Sequence, residues 1–153
     1  MKTLNQLHFL VSIKAPKETV WQILWNDETY RKWTAVFSEG SYAVSEWNKD
    51  SKIHFLSPSG DGMFSVISEL IPNSQMTFRH DGILKDFKEM PPDEETRQWA
   101  GANESYTLNQ RGDVTTLEVH LDINEQYENH FKDVFPKALE KVKQLSESKH
   151  TVN

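Results

Sequence analysis

With 153 residues, a net charge of −6 and no cysteine, the chain suits one domain with one core and excludes disulfides, thiolate catalysis and thiolate metal sites. Its lysines and arginines are scattered rather than gathered in a stripe, which argues against nucleic-acid binding, and no apolar run approaches the roughly 20 residues a bilayer crossing needs. Mean hydropathy is −0.68, yet aromatic residues reach 11%, so many rings must either fill a solid core or line a cavity.

Leu7, Phe9, Val11 and Ile13 alternate, which predicts a strand with one buried face. The same stretch lacks the long apolar region and small-residue cleavage site of a signal peptide, so a cytoplasmic protein is expected. Pro16 then reads as the first helical position, where its missing N–H costs nothing. Val20, Ile23 and Leu24 make a narrow apolar face, with Trp21 and Trp25 as a second pair beside it. Asn26-Asp27 ends that helix, and Asp27 is expected to cap the next, Glu28 to Trp33, by accepting from the backbone of Tyr30. A helix this short must be held by its rings packing on a sheet.

From Gly40 onward strands are predicted over 41–47, 52–57, 63–71, 75–80, 104–110 and 114–123, separated by turn sequences rich in Asn, Asp, Gly and Pro. Successive strands with short turns make an antiparallel meander, and the first strand can close its edge. Residues 81–103 are too long for a plain turn and read as a lid, with a short helix near 93–99 ending in Trp99 and Gly101 as its stop. The segment 125–148 carries an apolar stripe from Phe131 to Leu145, and Pro136 inside it predicts a kink or a restart. The whole is an α+β domain over 1–153.

The catalytic inventory is thin. The six histidines show no H-x-H or H-E-x-x-H spacing, no glycine-rich loop follows a strand, and no serine sits in a G-x-S-x-G elbow. No metal, cofactor or catalytic residue is therefore assigned. Polar candidates remain. His80 shares a face with Met76 and Phe78, Glu104 shares one with Tyr106 and Leu108, and Glu69 lies between Ile67 and Ile71. A carboxylate turned inward must be paired, with Arg79 or Arg97 the expected partners, or must anchor a polar ligand head; the simpler alternative is that both glutamates face solvent. Rings converging on one space form the main candidate site: Trp33, Phe37, Phe55, Phe64, Phe78, Trp99, Tyr106, Phe131 and Phe135, joined by His80 and Leu139. Tyr30 is expected to reach the same space. Truncating Trp33 should alter binding more than folding.

Three stretches, APKETVWQILWNDETYRKW, WNKDSKIHFL and ESYTLNQRGDVTTLEV, resemble the START-like (SRPBCC) superfamily, in the branch related to the activator of the heat-shock-protein-90 ATPase. The resemblance spans about residues 7–147. It implies a helix-grip fold: a curved antiparallel sheet of about seven strands wrapped around a long C-terminal helix, with two short helices after the first strand. Asp50-Ser51 stands where members often carry glycine, which predicts a looser turn, and Val134-Phe135-Pro136 replaces a tryptophan frequent in the last helix. The implied function is non-enzymatic binding of a small hydrophobic or amphipathic molecule or lipid between sheet and helix. The co-chaperone branch implies instead a chaperone-binding or stress-related interaction module, and other members imply a cyclase, dehydratase or hydrolase using His80, Glu104 or Tyr106.

Overall fold

The alternation at the start of the chain produces β1 (Leu4–Ile13) in the computed structural model, which describes residues 4–151. The strand ends at Ala15-Pro16. Pro16, with φ −63° and ψ 153°, stands just before α1 (Lys17–Trp25) rather than inside it, and its carbonyl accepts from the N–H groups of Thr19 and Val20. Helix α2 (Asp27–Thr34) follows at once. Its cap is the backbone carbonyl of Asn26, which takes the Tyr30 N–H at 2.7 Å. Asp27 does not cap. It lies in the first turn and pairs with Arg31 four residues on, the spacing that brings helical side chains together.

The meander then runs through β2 (Tyr42–Ser45), β3 (Lys52–Leu56), β4 (Gly62–Ile71) and β5 (Gln75–Lys85). At the first of these turns Asp50 takes φ 70°, a conformation glycine reaches without penalty. The turn is nevertheless closed, by Asp50 N–H to the Ile67 carbonyl at 2.7 Å and Ser51 N–H to the Asn48 carbonyl at 3.0 Å. β5 is five residues longer than its sequence suggested, because β4 offers pairing partners as far as Gly62, opposite Leu84. A tight turn with positive φ at both Asp86 and Phe87 leads back into β6 (Lys88–Glu89), so the connection starts later than expected and the sheet has eight strands rather than seven. Helix α3 (Glu94–Trp99) begins at the Asp93 side chain, which accepts from the Thr96 N–H at 2.8 Å.

β7 (Ala102–Arg111) and β8 (Val114–Asn124) complete the antiparallel sheet in the order β1-β8-β7-β5-β4-β3-β2, with β6 on the side of β5. The first strand closes on the last, as expected. After one 3-10 turn at Glu125–Tyr127, α4 (Glu128–Thr151) runs without a restart through Pro136. It packs on β1, α1 and α2, burying Phe135, Ala138, Leu139 and Val142. Near its far end Glu147 accepts from the Lys14 backbone at 3.0 Å and from Lys143 at 2.7 Å, tying the helix to the end of β1. No helix among the described residues is long and apolar enough to cross a membrane.

Candidate functional site

Two irregularities interrupt the pairing of β4 with β5: Asp81 of β5 is skipped between the pairs Phe64–Gly82 and Ser65–His80, and Ser68 of β4 between Ile67–Phe78 and Glu69–Thr77. Such bulges bend a strand and reset which side chains face inward. Phe64, between inward Met63 and buried Ser65, faces outward by plain alternation, its ring over Gly82, where a Cβ would come within 2.4 Å of it. After the second, Leu70 packs on the core opposite Met76, while Ile71 is exposed and Glu69 stands opposite Thr77. Phe64 therefore lies outside the inward set by alternation itself, and Glu69 leaves it at the Ser68 bulge. Leu139 leaves it too: it is buried in the contact of α4 with the rest of the core and does not reach the cavity.

The bent sheet, α2, α3 and the first half of α4 enclose a cavity of about 670 Å³. Nine of the sequence-selected residues line it: Trp33, Phe37, Phe55, Phe78, His80, Trp99, Tyr106, Phe131 and Phe135. Tyr30 does as well. Trp25, read from sequence only as one of a helical pair, forms its inner end. Its ring meets Phe78 at 5.4 Å and Tyr106 at 5.0 Å, at interplanar angles of 76° and 87°. These edge-to-face contacts place the positive ring edge on the negative face. Phe55 meets Phe78 the same way at 5.1 Å, and Phe37 joins Phe135 of α4 at 5.0 Å. Polar groups gather at the opening, where the Tyr127 hydroxyl donates to Glu95 at 3.0 Å and links the 3-10 turn to α3.

One polar chain interrupts the apolar wall. Ser65 Oγ lies 2.7 Å from His80 Nδ1, His80 Nε2 lies 2.9 Å from Glu104 Oε1, and the Tyr106 hydroxyl donates to Glu104 Oε2. Strand pairing assembles it, since Ser65 stands opposite His80, and Phe78 of the same strand opposite Glu104. A carboxylate only accepts, so His80 Nε2 is the donor to Glu104, and in the neutral ring Nδ1 accepts a hydrogen bond from the Ser65 hydroxyl. Ser65 is fully buried behind His80 and does not reach the cavity, whereas Glu104 is the most open member, its side chain 20% exposed. Its partners are thus His80 and Tyr106, not the expected arginines. Arg79 points to solvent and pairs with Asp81 at 2.9 Å. Ser65 carried no local signal, because its histidine lies 15 residues away across a hairpin.

Burial pushes the hydroxyl pKa of Tyr30 and Tyr106 well above the usual tyrosine value, and the nearby Glu104 charge adds to this in both. Both stay neutral while the fold holds. A raised folded pKa means that the unfolded chain releases its protons first, so their contribution to stability is complete below about pH 10 and declines as pH rises beyond it. In an alkaline titration followed by phenolate absorbance, Tyr30 and Tyr106 should ionise only together with loss of the fold. Smooth titration of all four tyrosines in a protein with native circular dichroism would show these two to be accessible.

No protein-family model matches the sequence, and no curated protein matches it significantly. Solved structures do resemble it. The Aha1 dimer from Colwellia psychrerythraea superposes with a TM-score of 0.71 at 22% identity, over 94% of this chain and 96% of that one. CalU16 from Micromonospora echinospora gives 0.65 at 15% identity, over 95% and 78%. DynU16, from the dynemicin biosynthetic locus, gives 0.68 at 14% identity over 95% of this chain, which spans only 48% of that protein. The curved antiparallel sheet gripping α4, with two short helices after β1, is the helix-grip fold that these structures share.

Proposed function

We propose that the protein binds a small, mainly apolar molecule carrying one hydrogen-bond donor, such as an alcohol or amine, without transforming it. The observation that carries this reading is a cavity of about 670 Å³ walled largely by rings, with the His80–Glu104–Tyr106 chain set in that wall and further polar groups at the opening. Apolar sites with a few placed polar groups are the usual form of small-molecule pockets. Each Glu104 oxygen already accepts one hydrogen bond and retains a lone pair for a second donor. Its charge disfavours a ligand carboxylate in the same place. Native mass spectrometry of protein purified gently from its own host, followed by organic extraction, tests the reading. A discrete added mass that extracts as an apolar alcohol or amine is expected. A ligand-free mass together with no saturable uptake of long-chain alcohols would overturn it.

The same chain favours one second reading, acid–base catalysis on a bound substrate. His80 and Glu104 face the cavity and share a proton path with Tyr106. A covalent mechanism through Ser65 has no support, because the hydroxyl lies behind His80. Conversion of the extracted molecule by the native protein, abolished in Glu104→Gln, would promote this reading above simple binding.

A further inference from the structure

The sheet's outer face brings together a second set of side chains, unconnected with the cavity. His8 of β1 stands directly opposite His120 of β8, and their rings stack at 4.4 Å with 6° between planes. Glu118 lies two residues before His120 and so shares its face. Both imidazoles turn Nε2 towards one atom: Glu118 Oε2 is 2.5 Å from His8 and 3.4 Å from His120. The three donor atoms all lie within 4.8 Å of one another. Tetrahedral zinc, with bonds of about 2.0–2.2 Å to nitrogen and oxygen, needs ligand atoms roughly 3.3–3.5 Å apart. The observed separations bracket that figure, and all three side chains are partly exposed and able to adjust.

The paired positions of the sheet leave room for a cation. The positions paired with this trio are Leu10, opposite Glu118 on β1, and Ser105 and Thr107 on β7, none of which carries positive charge. Asp122, the next outer position along β8, adds a negative one, opposite Gln6. We propose that His8, Glu118 and His120 form a binding site for one divalent transition-metal ion of the zinc class, with water completing its coordination. Both histidines bind through Nε2 and keep their proton on Nδ1. The ion bridges the edge strand β1 to β8 and stabilises the folded chain by mass action. Sequence spacing missed the site because only Glu118 and His120 are near neighbours, while His8 arrives from 110 residues away.

Zinc chloride titrated into chelator-treated full-length protein tests the proposal, read by calorimetry and by histidine ring resonances. One ion per chain is expected, moving the His8 and His120 signals and leaving those of His54, His80 and His130 in place. Zinc should also raise the melting temperature of the native chain. His8→Asn and His120→Asn should each weaken binding by at least about tenfold, on the scale of disrupting a metal ligand shell, and should melt as the native chain does without zinc. If either variant fails to fold, Glu118→Gln supplies the same comparison. No saturable uptake, uptake unchanged by the substitutions, or shifts confined to other histidines would each overturn the proposal.

Discussion

Trp33→Ala is expected to lower the unfolding free energy by about 3–5 kcal/mol, as large-to-small changes of buried aromatics do. The ring is only 2% exposed, and its Nε1–H donates to the Leu24 carbonyl at 3.1 Å. It is thereby the rivet between α1 and α2. Trp25, Tyr30, Phe37 and Tyr106 all lie against it at ring separations of 5.5–6.4 Å. Truncation removes these contacts, opens a void and leaves a carbonyl at the end of α1 without its partner. This burial argues for the opposite of the sequence-based expectation that binding would suffer more than folding. Urea denaturation checks it, through a lower midpoint at an unchanged slope. A loss below about 1 kcal/mol would return Trp33 to the role of a mere cavity wall, since fully packed rings cost several times that.

Glu104→Gln should abolish the discrimination between an alcohol and a carboxylate of the same chain length. In the native protein a fluorescent long-chain alcohol is expected to bind at least about tenfold more tightly than the matching acid, which corresponds to about 1.4 kcal/mol. That is a modest demand. Two like charges 4 Å apart repel by about 4 kcal/mol at the effective dielectric found near protein surfaces, and water at the opening reduces this. The amide removes the repulsion, so the two affinities should converge. It also has one acceptor oxygen where two donors, His80 and Tyr106, now converge, and the mismatch should cost about 1–3 kcal/mol of stability. Tyr106→Phe relieves one of these donors and should recover part of the loss in the double variant. Equal affinity of alcohol and acid for the native protein would show that the polar chain does not read the ligand.

Much of the architecture was legible locally. Alternation in Leu7–Ile13, the turn residues between strands, the short helix ending in Trp99 and the apolar stripe of α4 each depend on neighbours a few residues away, and each was realised nearly in place. The antiparallel pairing of β2 through β5, and of β7 with β8, followed from short turns. The aromatic cavity wall was largely legible for the same reason, since a ring on the inward phase of a strand stays inward while the phase holds.

Where the phase broke, sequence reading failed. Nothing local marks the bulge at Ser68 of β4 or the one at Asp81 of β5, yet the first turned Glu69 outward and the second set Ser65 opposite His80. The length of β5 depended on a partner strand, and the partners of Glu104 on strands that meet only after folding. Composition and periodicity thus determined the elements, their order and which faces are apolar, because those are short-range properties of the chain. Register, the polar chain at His80–Glu104–Tyr106 and the meeting of His8 with His120 were decided by tertiary structure alone, because each joins residues whose separation in sequence carries no geometric information until the sheet is formed.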